Sequence, residues 1–308
     1  LNAQLDVEYE WVAQMWGAST VQVYDIALDG DENVYAIGRF NVSSGYFDND
    51  NLFTPTIPGP GFNNSVFIVK YDKDRNFQWA RAAGGAQYDE GYSIHVDASN
   101  NVYATGVFNG TVSFGSYTLT SKNTGSGMVK GGAFVVKLNC SGTFLWAKSF
   151  GGTGTVMYSH SITTDPSGNI YLTGYFAGGH VMNFSTSGGT RNVTGAGNGR
   201  SNAYVLKLDN NGNDLWVNTY GASSSDVMGR AVVADGSNIY VMGYFNGTVD
   251  FKSTGSYPQA SSVSVSGGTN HLGSYFVLRI SQSLGMASAP IVISRSGASS
   301  WSHGRTLA

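Results

Sequence analysis

Charged residues are scarce in this chain of 308 residues. Asp, Glu, Lys and Arg together make up 12% of it, about half of the usual share of roughly 25%. The net charge is −3, and the 17 Lys and Arg residues are scattered along the sequence. Because no basic field is available to hold a phosphate backbone, we expect no nucleic acid partner. The surface has to be built from Ser, Thr, Asn and Gly instead.

Cysteine is nearly absent, and long apolar runs are missing. Cys140 is the only cysteine, which excludes a disulfide framework and a thiolate metal site. No run of about 18 apolar residues occurs, so the sequence predicts no membrane span. Low charge and abundant hydroxyls predict an exported protein, secreted or held at the cell surface. Several Asn-x-Ser/Thr sequons would arise by chance in such a chain, so glycosylation stays open. The candidate sites are Asn41, Asn63, Asn109, Asn139, Asn183, Asn192 and Asn246.

Catalytic motifs are absent as well. There is no Gly-x-Ser-x-Gly elbow, no His-Glu-x-x-His helix and no phosphate-binding loop. The five histidines fall at unrelated places without metal-ligand spacing, so we assign no metal and no cofactor. Several Asp-rich turns resemble the start of a calcium loop but lack its distal Glu, which favours hairpin capping. Asp89, Glu90 and Asp226 are the carboxylates best placed for an acid and base pair. The sequence leaves enzymatic activity undecided and favours a non-enzymatic protein.

What the sequence does contain is one unit repeated four times. The copies are IALDGDENVYAIGRF at Ile26, IHVDASNNVYATGVF at Ile94, ITTDPSGNIYLTGYF at Ile162 and VVADGSNIYVMGYF at Val232. Their asparagines recur at intervals of 68, 68 and 69 residues, at Asn33, Asn101, Asn169 and Asn238. An even period of this length indicates a repeat array. We expect a single domain over 1–308, with repeats at about 11–78, 79–145, 146–215 and 216–282 and a partial repeat at 283–308.

Each repeat reads as four short strands, called a to d. Strand a ends in the repeated Asp, strand b begins at the Asn-Val/Ile-Tyr run, strand c is apolar on both faces, and strand d carries a Trp. None of these segments shows the apolar period of about 3.6 residues that is typical of a helix. The pattern predicts an all-β fold, a β-propeller of four-stranded antiparallel blades. A parallel β-helix is the alternative, although its coils are far shorter than 68 residues. We expect the tryptophans to pack between blades: Trp11, Trp79, Trp146 and Trp216.

A family resemblance supports this interpretation. From Trp79 to Trp146 the chain runs through Trp, Gly-Gly, Asp, a turn, Asn-Val-Tyr-x-x-Gly-x-Phe, Gly-Thr-Val-x-Phe and Ala-Phe-Val-x-Lys-Leu. This succession resembles the bacterial beta-propeller repeat family, called SBBP repeats. The resemblance implies an exported or cell-surface β-propeller and brings no catalytic residues. The chain departs from the family in its long b-to-c segments and in having fewer repeats than a seven-bladed ring needs.

Counting strands gives four complete blades and two strands left over. A d-like strand beginning at Trp11 precedes the first blade, and a d-then-a stretch over 291–308 follows strand c of the last. The first d-like and the last a-like strand lack the middle strands of a blade and are expected to be unpaired. Unpaired apolar edges are templates for association. Either the natural chain continues past Ala308, or the loose ends pair with another subunit. We expect the second, which is self-association, head to tail, into a filament or a surface layer.

The candidate ligand-binding residues occupy the same position of strand a in successive repeats, two residues before the repeated Ile or Val. These residues are Tyr24, Tyr92, His160, Arg230 and Arg305. Strand a is innermost in a propeller, so we expect these side chains at the mouth of the channel, where a sugar or an anionic group could bind. The alternative, that they plug and hydrate the channel, stays open. Two functions remain: a structural or adhesive extracellular propeller, or a propeller that binds or cleaves carbohydrate.

Overall fold

Strands form wherever the repeated β-branched and aromatic runs occur, and no helix is found in the part of the chain that the structure describes. The computed structural model describes residues 15–17, 20–41, 45–47, 52–53, 64–121, 132–251, 254–255, 264–267, 274–281, 291–295 and 301–303. For 16–17, 45–47, 52–53, 254–255, 291–295 and 301–303 the description covers the backbone.

Four antiparallel sheets follow one another along the chain, and each contains strands a, b, c and d side by side in that order. Blade 1 consists of β2 (Val21–Leu28), β3 (Val34–Phe40), β6 (Ser65–Tyr71) and β7 (Phe77–Ala83). Blade 2 consists of β8 (Glu90–Val96), β9 (Val102–Phe108), β12 (Gly132–Leu138) and β13 (Phe144–Gly152). Blade 3 consists of β14 (Met157–Thr164), β15 (Ile170–Ala177), β18 (Ser201–Leu208) and β19 (Asp214–Tyr220). Blade 4 consists of β20 (Val227–Ala234), β21 (Asn238–Phe245), β25 (Ser274–Ser281) and β26 (Ile291–Arg295).

The repeated Asp, Asn and Tyr close the hairpin between strands a and b. In blade 3, Asp165 accepts hydrogen bonds from the Asn169 backbone N–H at 2.9 Å, from Asn169 Nδ2 at 2.8 Å and from the Tyr171 hydroxyl at 2.8 Å. The same three residue types make the same contacts in blades 1 and 2. The carboxylate oxygens that a calcium ion would need are therefore engaged by the turn itself.

Successive blades pack face to face through buried apolar side chains. Three hydrophobic clusters join blade 1 to 2, blade 2 to 3 and blade 3 to 4. Trp79, Trp146 and Trp216 lie at these interfaces, whereas Trp11 lies outside the described residues. Trp79 and Trp146 lie over the c–d turn of the next blade. The Trp79 indole donates to the carbonyl of Cys140 at 3.0 Å, and a Cβ placed on Gly142 would lie 2.7 Å from its ring. Among the described residues, no hydrophobic cluster joins blade 4 to blade 1.

The b-to-c segments add short strands that reach back to the preceding blade. They are β4 (Gly45–Phe47) and β5 (Leu52–Phe53), β10 (Thr111–Phe114) and β11 (Tyr117–Thr120), β16 (Val181–Asn183) and β17 (Asn192–Thr194), and β22 (Thr248–Asp250), β23 (Thr254–Gly255) and β24 (Ser264–Ser266). β16 pairs with the end of β13, and β23 pairs with the end of β19. In the same manner, β4 pairs with β1 (Met15–Gly17). β1 thus takes the place of strand d in a blade before blade 1.

The terminal strands differ from the expectation that they are unpaired. β1 is hydrogen-bonded to β4, and β27 (Trp301–His303) is hydrogen-bonded to β26. The 291–308 stretch was predicted to end in the innermost strand of a further blade, whereas β27 lies outside strand d of blade 4. The reason is that β26 offers a free edge, and an antiparallel hairpin satisfies its backbone groups.

Candidate functional site

A β-bulge interrupts strand a at the same point in every blade. The pairing of strands a and b shifts between Val23 and Asp25, Gly91 and Ser93, Ser159 and Ser161, and Gly229 and Ala231. The extra residues are Tyr24, Tyr92, His160 and Arg230. A bulge leaves its extra residue out of the strand pairing and re-aims the side chain. The four predicted side chains therefore owe their common orientation to one backbone irregularity.

The glycine of the repeated Gly-x-Phe motif makes room for the bulge. A Cβ on Gly106 would lie 2.0 Å from the Glu90 carbonyl oxygen, and a Cβ on Gly174 would lie 1.9 Å from that of Tyr158. The corresponding distances at the matching glycines of blades 1 and 4 are 1.9 Å and 2.0 Å. Only glycine tolerates a carbonyl at this distance. The motif is thus required by the backbone of the site.

Hydrogen bonds between blades hold the bulges next to one another. Asp25 Oδ2 accepts from the backbone N–H of Ile94 in the next blade at 3.0 Å. Ser161 Oγ likewise accepts from the N–H of Val232 at 3.1 Å. In each case the residue after one bulge contacts the residue two positions after the next. The a strands are thereby fixed edge to edge along the array.

The bulged side chains and their neighbours form a continuous row, the aromatic strip. Its members are Tyr24, Tyr92, Tyr158, His160, Tyr175, Arg230 and Tyr244. The Tyr24 and Tyr92 ring centroids are 5.3 Å apart, and those of Tyr92 and His160 are 5.2 Å apart. Tyr158 stacks on His160 at 5.5 Å and on Tyr175 at 4.8 Å. Because these inner rings cover one another's faces, the strip presents ring edges and hydroxyl groups.

At one end of the strip, the charge of a buried carboxylate is balanced by a neighbouring arginine. Glu90 is buried and accepts hydrogen bonds from the Arg39 guanidinium and from the Tyr92 hydroxyl. Arg39 also donates to Gln22 at 2.7 Å, which accepts from the Tyr24 hydroxyl at 3.0 Å as well. Burial, together with the hydrogen bond to Glu90, raises the pKa of Tyr92. Burial also raises the pKa of Tyr24. Both phenols are therefore protonated donors at neutral pH.

At the other end of the strip lies an arginine that forms no ion pair with a carboxylate of the described residues. Arg230 is exposed, and its Nη1 donates to His160 Nε2 at 2.9 Å while Nη2 donates to the Tyr244 hydroxyl at 3.2 Å. The guanidinium lies over the Tyr244 ring at 5.1 Å and over the Tyr175 ring at 5.8 Å. A guanidinium is always charged, so His160 accepts this bond through an unprotonated Nε2. No carboxylate of the described residues lies within ion-pair distance of Arg230.

Four of the five predicted site residues thus stand together, and Arg305 lies outside the described residues. Tyr175 and Tyr244 were missed, although a signal existed: they occupy the variable position of Gly-x-Phe, where Arg39 stands in blade 1. Tyr158, which stacks on His160, was missed as well.

The remaining candidate carboxylates hold loops in place. Asp89 is fully buried and accepts from the backbone N–H groups of Gly85 and Asn109, and burial raises its pKa. Asp226 accepts from the N–H of Ser201 at 2.8 Å and from Asn246 Nδ2 at 3.1 Å. In the part of the chain that is described, no group of three or more His, Cys, Asp and Glu side chains could hold a metal ion.

The sequons lie in different environments. Asn192 is exposed, Asn109 is buried, and Asn63 lies outside the described residues. The other four are partly exposed: Asn41, Asn139, Asn183 and Asn246. The described segments also include no helix long and apolar enough to cross a membrane.

Comparison with known proteins agrees with the repeat assignment. Residues 145–175 match the model of the SBBP family, Beta-propeller repeat, which confirms the resemblance. The chain is also 28% identical, over 272 residues, to an uncharacterized WD repeat-containing protein of Acanthamoeba polyphaga mimivirus. That alignment covers 78% of this chain and 19% of the relative, so the chain spans a small part of the relative's length. The chain therefore contains a β-propeller repeat.

Proposed function

We propose that the chain is an extracellular structural or adhesive β-propeller that associates with copies of itself, head to tail. The observation that carries this proposal is the exposure of Ile26. Its equivalents Ile94, Ile162 and Val232, at the same position of strand a, are 4%, 4% and 3% exposed because the preceding blade covers them, whereas Ile26 is 63% exposed. Blade 1 therefore offers an apolar surface that is uncovered along strand a; this side of the blade, where a preceding blade would pack, is called the front face.

Blade 4 offers the complementary surface, its back face. Met242 and Tyr275 are 48% and 59% exposed, whereas the residues at the same positions of blade 3, Thr173 and Ala203, are fully buried against blade 4. Every interface inside the chain joins the back face of one blade to the front face of the next. A second copy is the occupant that matches both ends, because its own blades supply the missing partner surface.

The N-terminal strand covers part of the front face. Ala36, Phe67 and Ala80 are buried in a cluster to which Met15 of β1 contributes, so the front face is occupied over strands b, c and d. β1 stands where strand d of an incoming blade would lie. Docking of a complete blade therefore requires β1 to move aside, and removal of residues 1–17 is expected to strengthen the association.

Size-exclusion chromatography with light scattering tests the proposal. The intact chain should form concentration-dependent oligomers, which Ile26→Asn weakens. Leu215→Asn is the matched control, because Leu215 is exposed on strand d of blade 3, away from both end faces. A chain that stays monomeric at every concentration, with or without residues 1–17, would overturn the proposal. Equal weakening by Leu215→Asn would show that the association uses another surface.

Carbohydrate binding is a second candidate function, and the aromatic strip is the observation that favours it. Phenol hydroxyls and ring edges from four adjacent blades present alternating polar and apolar contacts to the hydroxyls and C–H groups of a sugar. Low surface charge and the expected export agree with a ligand found outside the cell. A glycan array probed with the purified chain, and with Tyr92→Ala as the comparison, tests this function.

A further inference from the structure

We infer that the aromatic strip takes a carboxylate-bearing saccharide, a uronic-acid oligomer, with Arg230 as the residue that selects the acid group. The inference rests on the second candidate function, carbohydrate binding, and adds the charge of the ligand. It starts from the imbalance between the two ends of the strip. Glu90 is neutralised by Arg39, whereas Arg230 has no carboxylate partner among the described side chains.

Arg230 is fixed in place before any ligand arrives. Its hydrogen bonds to His160 and Tyr244 and its position over two phenol rings hold the guanidinium in one orientation. These contacts use only part of its five N–H donors, so others stay available on an exposed side chain. A planar carboxylate matches this donor geometry, and such charge-assisted bonds are the strong ones. Little ordering entropy remains to be lost at this residue on binding.

The rest of the strip is suited to an extended sugar chain. Tyr24 is 41% exposed at the end of the strip formed by blade 1. Tyr92 and His160 continue the row across the next two blades at about 5 Å spacing, which is close to the rise of one sugar ring. Arg230 is the charged group of this row, because Tyr24 and Tyr92 are protonated phenols and His160 accepts from Arg230 through an unprotonated Nε2. The strip therefore carries one net positive site beside a row of neutral hydroxyls.

Alternative anions are less well matched. A nucleic acid or another polyphosphate needs several cations along its length, and the strip provides one free cation in its described part. A lone inorganic anion would contact Arg230 but leave the rest of the row unused. The combination of one cation with several phenols favours a ligand that is mostly neutral and bears carboxylates at intervals.

Isothermal titration calorimetry with oligogalacturonate and with neutral galacto-oligosaccharides of the same length tests the inference. The intact chain should bind the acidic oligomer at least about tenfold more tightly, the usual effect of one charge-assisted pair. Arg230→Gln should remove that preference, so that the acidic and the neutral oligomers bind with equal affinity. Arg230→Lys, which keeps the charge and loses the planar fork, should be intermediate. Arg279→Gln is the matched control, because Arg279 is exposed on the same blade and donates to Asn238 at the opposite end of the strands.

The outcomes separate this inference from the function on which it rests. Equal binding of acidic and neutral oligomers would overturn the inference and leave carbohydrate binding standing. Binding of neither would overturn both. Binding of galacturonate monomer, acetate or phosphate as tightly as the oligomer would reduce the site to a simple anion site and also overturn it. Thermal unfolding of each variant, expected to match the intact chain because Arg230 is exposed, excludes loss of folding as the cause.

Discussion

Replacing equivalent isoleucines in neighbouring blades measures whether the blade array is open. Ile94 and Ile26 occupy the same position of strand a, two residues after the bulge, and pair with Ala104 and Ala36 in the same register. Ile94 is 4% exposed and packs against blade 1, whereas Ile26 is 63% exposed. The two sites share backbone geometry and differ in whether a blade covers them. The difference between Ile94→Ala and Ile26→Ala therefore isolates the packing of one blade on another.

The expected magnitudes are well separated. Ile94→Ala removes buried atoms and leaves a cavity, so the free energy of unfolding should fall by about 3 kcal/mol, within the range for buried Ile→Ala changes. Ile26→Ala removes atoms already in water and should cost below about 0.5 kcal/mol in the monomer. Urea unfolding at a concentration where light scattering reports monomer gives both values, with equal m-values as the check that both variants unfold from the same state.

Two results bear on the openness of the array. A loss of about 3 kcal/mol for Ile26→Ala in the monomer would mean that a blade covers the front face of blade 1, and the reasoning from exposure would be refuted. A cost that is small in the monomer but grows with protein concentration is expected if a second copy buries Ile26, since association stabilises the folded state by mass action.

Further predictions concern the interior. Trp146→Ala should lower the free energy of unfolding by about 3 kcal/mol, because the partly buried indole lies over the c–d turn of blade 3. Urea unfolding measures this change. A loss below about 1 kcal/mol, together with loss of sugar binding, would instead favour an indole that stacks on a sugar at the surface. Gly174→Ala should disrupt the bulge, since its Cβ would lie 1.9 Å from a backbone oxygen; a variant with unchanged stability and sugar binding would contradict the role given to this glycine. Asp214 has a lowered pKa because hydrogen bonds led by that from Arg191 outweigh its burial, which alone would raise it. Its stabilisation is present above the unfolded pKa of about 3.9 and is lost as pH falls further, so Asp214→Asn should be destabilising at pH 7 and nearly neutral in acid; a pH-independent difference would argue against this assignment.

The sequence predicted the blades because their determinants are local. The Asp, Asn and Tyr of the hairpin contact one another within a few residues, as Asp165, Asn169 and Tyr171 do, so repetition of the letters indicates repetition of the turn. The slot that holds Tyr92 and His160 was also found from position alone, because equivalent positions in a repeat array lie in a row. Local pattern was sufficient in both cases.

The sequence did not predict what surrounds that slot. A strand read with strict alternation places Tyr158 and His160 on the same face but says nothing of a bulge between Ser159 and Ser161. The bulge depends on a close approach between Gly174 and the Tyr158 carbonyl, a contact between two strands. The compensation of Glu90 by Arg39 joins blades 1 and 2, 51 residues apart in the chain. Ion pairs between blades can be recognised only from the three-dimensional arrangement of the blades.

The two proposals meet at Tyr24 and yield a last prediction. Tyr24 ends the aromatic strip where blade 1 has no preceding blade, and Arg230 ends it on blade 4. If the back face of blade 4 docks on the front face of blade 1 of another copy, Arg230 of one copy comes next to Tyr24 of the next, and the strip continues across the junction. A long uronic-acid oligomer should then promote association, because it binds two copies at once.

Light scattering during titration with oligogalacturonate measures this coupling. Long oligomers should raise the average mass of the intact chain, whereas short ones should bind without doing so. Ile26→Asn should bind the long oligomer with little change in affinity per site yet assemble less. An oligomer that binds tightly but leaves the mass distribution unchanged would show that the strip and the end faces act independently. If the strip is continuous across a junction, ligand binding must favour association by the same free energy by which association favours ligand binding.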